Sequence, residues 1–183
     1  MNRSATAITL EQGAPFDARA YRRTLGQFAT GVTVVTARAL DGRRVGLTVN
    51  SFTSVSLDPP IVLWCLSRHS ASMSSFLTSK RFAINVLARD QVVIAQRFAS
   101  RHADRFAGVA CSIGLGGVPL IDGAIARLVC QRIDQHRVGD HLVLIGEVEH
   151  FKCFDGDPLV FHAGTYRVAA PHPALAVLPD ERM

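Results

Sequence analysis

Hydroxyl and amide side chains are concentrated in residues 46–60, a segment that otherwise has the composition of a β-strand. Because a strand sends alternate side chains to opposite faces, one face carries a ladder of small hydrogen-bonding groups. This ladder consists of Thr48, Asn50, Ser54 and Ser56. Such a surface suits a flat ligand with polar edges, although an exposed edge strand can have the same composition. The two prolines that follow end the ladder, since proline has no N–H to donate.

A turn after the next apolar strand carries groups that could hold a phosphate. Residues 67–70 have the sequence Ser-Arg-His-Ser, and we expect a helix to begin at Ser70. A helix N-terminus has unpaired N–H groups and the positive end of the helix dipole, so it can bind an anion. Ser67 and Arg68 would assist there. A simple N-cap role for Ser70 is the alternative.

A second turn places a histidine where it could meet a ligand. His141 follows Gly139 and Asp140 and begins a long predicted strand. A histidine beside a tight turn is more often a surface residue than a catalytic one. Its separation from His136 is not typical of a metal site. His141 is therefore a candidate only in combination with other groups.

The composition indicates a globular protein with one domain. Of the 183 residues, 48% are hydrophobic and 19% are charged, which allows a sizeable core. No run approaches the roughly 20 apolar residues that span a bilayer, and the N-terminus lacks the apolar core of a signal peptide. We expect a soluble cytoplasmic protein with no membrane partner. The four cysteines form no Cys-x-x-Cys pair, which disfavours a zinc ribbon or thioredoxin-type site and predicts reduced thiols without a metal.

The net charge of +5 raises the question of nucleic-acid binding. The basic residues are spread along the chain in short doublets, with no basic run interleaved with aromatic residues. We therefore expect no nucleic-acid partner. A modest positive field would also attract an anionic cofactor such as a dinucleotide, and we favour that interpretation.

The order of the predicted elements indicates a mainly β fold with peripheral helices. We expect helices over 17–30 with Asp17 as N-cap, from Ser70, and over 90–98, and strands over 32–39, from 45, and over 61–66, 82–87, 124–135, 141–154, 160–161 and 166–168. No βαβ rhythm is present, so the strands should form a closed antiparallel barrel. The predicted division is an N-terminal arm over 1–16, one domain over 17–168 and a tail over 169–183. The glycine-rich loop over 114–119 does not match a dinucleotide-binding fingerprint.

Taken in order and spacing, several short motifs resemble the flavin reductase family. Its members are the small reductase components of two-component flavin-dependent monooxygenases, such as phenol, chlorophenol and 4-hydroxyphenylacetate hydroxylases. The matching segments are 31–36, 48–60, 82–87, 139–141 and 158–166. Together they extend over most of the chain, from about residue 17 to residue 168.

The resemblance implies a split β-barrel of the FMN-binding type and a homodimer. It also implies FMN or FAD held noncovalently and reduced by NADH or NADPH. By this resemblance the cofactor-binding residues are Thr33, Thr48, Val49, Asn50, Ser51, Ser54, Ser67, Arg68, Ser70 and Tyr166. Those over 48–51 would line the isoalloxazine and ribityl chain, and Ser67 and Ser70 would meet the phosphate. Tyr166 would lie near the ring, and His141 would be the catalytic residue at the nicotinamide.

The predicted activity is that of an NAD(P)H:flavin oxidoreductase that supplies reduced flavin to a monooxygenase acting on an aromatic substrate. Hydride transfer from nicotinamide to flavin needs alignment more than a general base, and a ladder of small polar groups suits a flavin that must be released. A non-enzymatic flavin-binding electron carrier with the same barrel is the alternative. A pyridoxamine-phosphate oxidase-like enzyme would need a denser cluster of basic residues. His162 and Ala163 precede Gly164 where relatives often carry a basic residue, which leaves the choice of dinucleotide open.

Overall fold

A computed structural model describes residues 16–102 and 104–173, which contain three α-helices and twelve β-strands. The helices are α1 (Ala18–Leu25), α2 (Met73–Thr78) and α3 (Val92–Ala99). The strands are β1 (Thr30–Gly31), β2 (Thr33–Arg38), β3 (Arg44–Val49), β4 (Thr53–Leu57), β5 (Pro60–Ser67), β6 (Arg81–Val86), β7 (Cys111–Ile113), β8 (Pro119–Ile121), β9 (Ala126–Val138), β10 (His141–Cys153), β11 (Leu159–His162) and β12 (Thr165–Val168). The expected mainly β fold is confirmed. The predicted arm up to residue 15 and the tail beyond 173 lie outside the described residues.

Helix α1 begins where its sequence predicts and ends earlier. The carboxylate of Asp17 accepts hydrogen bonds from the backbone N–H groups of Arg19 and Ala20, both at 2.9 Å, as an N-cap should. The predicted extension to Thr30 is wrong. Thr30 instead belongs to β1, where it pairs with Phe161 of β11. This long-range pairing wins over local helix propensity.

The connection between β2 and β3 is the hairpin that Asp41 and Gly42 predict. Gly42 has a φ of +83°, and its N–H donates to the carbonyl of Ala39 at 2.9 Å. The predicted start of α3 is one residue too early, because Gln91 and not Asp90 is the N-cap residue. The Gln91 side chain accepts the N–H of Ala88 and is held in place there.

Seven antiparallel strands form the main sheet in the order β3-β2-β6-β9-β10-β5-β4. Strands β1, β11 and β12 form a second sheet, and β7 and β8 form a third. The predicted closed barrel is not completed by hydrogen bonds, because β3 and β4 remain the two edges of the main sheet in the described part of the chain. Strands β9 and β10 pair over their length and are interrupted by two register shifts. Such irregularities bend a strand.

The main sheet curls around a core that receives side chains from its edge strand β3 and from Phe52, just before the other edge strand β4. Trp64, Phe82 and Leu144 are buried in this core, and Val49 of β3 and Phe52 pack against it. Val34 of β2 packs with Ala95 and Phe98 of α3 in a second core. Here Gly46 is required, since a Cβ atom on it would lie 2.7 Å from a ring carbon of Phe98. Helix α3 therefore sits directly on β3.

Among residues 16–102 and 104–173, each helix is too short or too polar to cross a lipid bilayer.

Candidate functional site

The predicted polar ladder is interrupted by a bend at residues 50–52, which we call the corner. Before the corner, β3 pairs with β2, and its last rung joins Val49 to Thr33. After the corner, β4 pairs with β5, beginning with Thr53 opposite Leu63. The expectation of one continuous strand is therefore wrong, because the two halves of the segment have different neighbours. The groups before and after the corner do not share a strand face.

Three of the predicted flavin-binding hydroxyls hold the backbone around the corner. Thr33 Oγ1 donates to the carbonyl of Val49 at 3.0 Å, and Thr48 Oγ1 donates to the carbonyl of Ala95 in α3 at 2.7 Å. Ser51 Oγ accepts the N–H of Cys65 at 2.9 Å and also faces its carbonyl at 3.3 Å. Each hydroxyl has committed its proton to a carbonyl, so it can offer a ligand only acceptor capacity.

Two cavities open at the corner. The larger has a volume of about 1040 Å³ and extends between the corner, the end of α1 and the β11–β12 turn. The smaller has a volume of about 190 Å³ and is lined by Val32, Thr48, Val49, Asn50, Ala99, Phe161 and Tyr166. Asn50 and Phe161 line both cavities, which we call together the corner groove. The groove thus brings together five of the predicted residues, namely Thr48, Val49, Asn50, Ser51 and Tyr166.

The corner groove offers free polar groups beside an aromatic wall. The carboxamide of Asn50 is exposed and has no hydrogen-bond partner among the described residues. The ring of Tyr166 meets that of Phe161 edge to face at 5.4 Å. Burial raises the pKa of Tyr166, so the phenol keeps its proton and its capacity to donate at neutral pH. The larger cavity is at the upper end of the range for ligand sites, so the groove can accept a flat molecule of cofactor size.

Among the groove residues that sequence reasoning missed, Thr30 and Phe161 have features that suit a ligand site. Thr30 lines the larger cavity, and its Oγ1 is buried without a hydrogen-bond partner in the described part of the chain. Phe161 forms the wall shared by both cavities. They meet through the rung that joins β1 to β11, which links residues far apart in sequence. A local pattern carries no signal for such a contact.

Thr33, on β2, is buried and does not line the groove. The remaining candidates, apart from Ser54, lie together at the end of β5. His141 is paired with Ser67 across the β5–β10 ladder. The backbone N–H of Arg68 donates to the carbonyl of Asp140 at 2.9 Å, which ties the two predicted turns to each other. Ser67 is two residues, or about 7 Å, beyond the Cys65 that Ser51 contacts. These side chains do not line the corner groove itself.

The predicted helix start at Ser70 is wrong. Helix α2 begins at Met73 with Ser72 as its N-cap residue. Ser70 Oγ accepts the N–H of Ser72 at 3.2 Å, and Ser67 Oγ accepts the N–H of His69 at 3.3 Å. The hydroxyl of Ser72 makes no hydrogen bond to the helix, so the start of α2 is not fixed by a serine cap. Because no helix begins at Ser70, the helix N-terminus no longer supports a phosphate site at this turn. The proposed roles of Ser67, Arg68 and Ser70 at a phosphate stay predictions.

His141 has a carboxylate partner. Its Nδ1 lies 2.7 Å from Oδ1 of Asp140, and the imidazole is about half exposed. The hydrogen bond from His141 and its charge lower the pKa of Asp140. With Nδ1–H donating to the carboxylate, Nε2 remains available to a ligand.

Ser54 faces another part of the surface. It lines an apolar groove of about 300 Å³ that runs along β4, β5, β9 and β10. Its neighbours there include Leu57, which is 92% exposed, and Phe151, which is 75% exposed. Phe52 lies in the wall of this groove and also in that of the larger cavity at the corner. Ser54 is thus separated from the other predicted cofactor ligands.

Comparisons with known proteins found one matching family and several similar proteins. Residues 25–170 match the family described as "Flavin reductase like domain". The chain is 45% identical over 150 residues to FMN reductase (NADH) SmoA of Agrobacterium fabrum, covering 82% of this chain and 85% of that protein. It is 38% identical over 161 residues to the flavin-dependent monooxygenase reductase subunit HsaB of Mycobacterium tuberculosis, covering 86% of each. The NADH:FAD oxidoreductase SgcE6 of Streptomyces globisporus, solved with NAD and FAD fragments, superposes with a TM-score of 0.80 at 39% identity, covering 86% of this chain and 95% of that one.

Proposed function

Because the chain belongs to the flavin reductase like domain family, we propose that its corner groove holds a flavin noncovalently while a reduced nicotinamide dinucleotide reduces it. The activity is that of an NAD(P)H-dependent flavin reductase. The observation that carries the proposal is the groove itself, where the free carboxamide of Asn50 lies beside the aromatic wall of Phe161 and Tyr166. A relative named as an NADH-dependent FMN reductase favours this enzyme over the electron carrier.

The residues present fit a flavin. The volume of the groove is sufficient, and Thr48 and Asn50 place hydrogen-bonding atoms around it. The carboxamide of Asn50 would form hydrogen bonds with the polar edge of the flavin ring, and the side chain of Tyr166 would pack against the apolar part of that ring. The hydride chemistry itself is supplied by the flavin and the nicotinamide when they are bound. The protein contributes orientation and the exclusion of water.

His141 is proposed to orient the nicotinamide. Its Nε2 is free because Asp140 occupies Nδ1, and it lies on the strand that neighbours β5, which carries the contact of Ser51. With its one N–H directed to Asp140, the neutral imidazole can accept one hydrogen bond at Nε2 from a carboxamide N–H without taking part in proton transfer. The role is therefore alignment of the two reacting rings.

The partner proposed for the reduced flavin is a separate monooxygenase that acts on an aromatic substrate. The relative HsaB is named as the reductase subunit of a flavin-dependent monooxygenase. The basic character of the chain, at +5, suits the passage of anionic flavins over its surface. The four cysteines are free thiols, which supports a cytoplasmic location.

A homodimer with a split-barrel subunit completes the proposal. The curled main sheet, with its two edges joined by the corner, supports the barrel. Exposed Leu57 and Phe151 around the apolar groove support a second copy as its cover, since large exposed apolar patches mark interaction sites. Sedimentation velocity should give twice the chain mass, and a fully active monomer would contradict this part.

The direct test is oxidation of NADH and of NADPH by the purified apoprotein with FMN or FAD added. Turnover with at least one pair is expected. Titration with each flavin should quench the fluorescence of Trp64, the single tryptophan. No turnover with any of the four pairs would overturn the proposed function. Flavin binding without turnover would support the electron carrier instead.

A further inference from the structure

We propose that Ser51 is a positioning residue whose hydroxyl replaces the last rung between β4 and β5 and thereby fixes the shape of the corner. The ladder ends with Thr53 opposite Leu63. Continued for two residues, the same register would place Ser51 opposite Cys65. The strand has already turned away there, and the Ser51 side chain makes the contacts that its peptide group would have made.

A serine hydroxyl is suited to this substitution because it both donates and accepts. Ser51 Oγ accepts the N–H of Cys65 at 2.9 Å and donates to its carbonyl at 3.3 Å. In an antiparallel ladder these two groups of one residue point to the same neighbouring strand. Without the hydroxyl, both would be left unpaired at the edge of β5, at a cost in free energy for each.

The other end of the corner is held in a similar way. Thr33 Oγ1 donates to the carbonyl of Val49 at the last rung between β2 and β3. The corner is thus bounded by one hydroxyl on each ladder. Between these two points lies Asn50, whose free carboxamide lines both cavities of the groove. Ser51 therefore acts on a ligand through the placement of Asn50 and the adjoining peptide groups, not by direct contact.

The effect on flavin binding rests on the proposed function, whereas the effect on the backbone does not. Ser51→Ala removes the rung, and Ser51→Thr keeps the hydroxyl. Ser56→Ala is the matched control, because Ser56 lies on β4, the strand that follows the corner, and its hydroxyl has no partner among the described residues. Amide hydrogen exchange at Cys65 reports on the rung, and flavin titration reports on the groove.

In Ser51→Ala we expect exchange at the Cys65 amide to accelerate about tenfold, since a protected edge group becomes open to solvent. The flavin dissociation constant should rise about fivefold through lost pre-organisation, with kcat at saturating flavin within about twofold of the wild type. Ser51→Thr should restore both values, and Ser56→Ala should change neither.

Unchanged Cys65 exchange in Ser51→Ala would overturn the inference, as would faster exchange with an unaltered flavin dissociation constant. Failure of Ser51→Thr to restore either value would show that the hydroxyl is not the cause. If the wild-type protein binds neither FMN nor FAD, the proposed function and the claim about flavin fall together. The exchange data would then still decide whether Ser51 holds the corner.

Discussion

Two asparagines on β-rich segments of this chain have opposite surroundings. Asn85 of β6 is completely buried, donates to the carbonyl of Val34 at 2.9 Å and accepts the N–H of Ile121 at 2.9 Å. It also donates to Thr36 Oγ1 at 3.3 Å. Asn50 at the corner is exposed, and its carboxamide has no partner in residues 16–102 and 104–173.

The difference separates a polar group that builds the fold from one that can bind. The interior network around Asn85 joins β2 and β6 to β8, and each of its hydrogen bonds compensates a buried group. The free polar groups of the corner lie at a cavity, where only a ligand or water can form hydrogen bonds with them. Residue type does not distinguish the two, since both are asparagines in strand-like sequence. The partner available to each side chain does.

The largest expected effect is on the interior network. Asn85→Ala would leave the Ile121 N–H and the Val34 carbonyl without their side-chain partner and should lower the free energy of unfolding by about 3 kcal/mol. The midpoint of urea denaturation measures it, with an unchanged m-value as evidence for a pure stability effect. A loss below about 0.5 kcal/mol, the size of an ordinary surface effect, would end the comparison.

His141 tests whether function extends beyond the corner. His141→Ala removes the proposed contact to the nicotinamide and should lower NADH-dependent kcat by about 10- to 100-fold, because misalignment of reacting groups has effects of this size. Flavin affinity should be nearly unchanged, since the imidazole does not line the corner groove. Stopped-flow reduction of bound flavin and a flavin titration measure the two quantities. Equal losses in both, or in neither, would remove His141 from its role.

Asn50→Ala is the counterpart of the Asn85 variant. Because its carboxamide is exposed, the free energy of unfolding should stay within about 0.5 kcal/mol of the wild type. The flavin dissociation constant should rise about tenfold, the equivalent of one lost hydrogen bond to a ligand. Urea denaturation and fluorescence titration give both numbers. A destabilised protein with normal flavin affinity would place Asn50 among the structural residues with Asn85.

Local signals in the sequence predict much of the fold and part of the site. The Asp17 cap and the turn at Asp41 and Gly42 depend only on neighbours in the chain, so they are predictable. The concentration of small polar groups around Asn50 also predicted a surface at the place where the structure has the corner groove. The corner was missed, because the switch of neighbours between β3 and β4 is decided by long-range pairing. The same holds for Phe161, which reaches the groove through its rung with β1.

The smallest expected changes in stability and flavin affinity come from two threonines of β2. One belongs to the interior network around Asn85 and the other to the corner. Thr36 Oγ1 donates to the buried carbonyl of Pro119 in the interior network, and Thr33 Oγ1 donates to the carbonyl of Val49 at the corner. Thr36→Val should lower the free energy of unfolding by about 1 kcal/mol and leave the flavin dissociation constant unaltered.

Thr33→Val should destabilise by less than half of that, since the hydrogen bond to the Val49 carbonyl is only partly buried, and should raise the flavin dissociation constant about two- to threefold by loosening the end of β3. Valine has nearly the shape of threonine, so packing is the same in both variants and only the hydroxyl is compared. Urea denaturation and flavin titration are carried out on both variants. If the regions differ as described, Thr36→Val has the larger loss of stability and Thr33→Val has the larger loss of flavin affinity. Parallel changes in the two variants would mean that the corner and the interior network are one structural unit, and that the groove owes nothing particular to its hydroxyls.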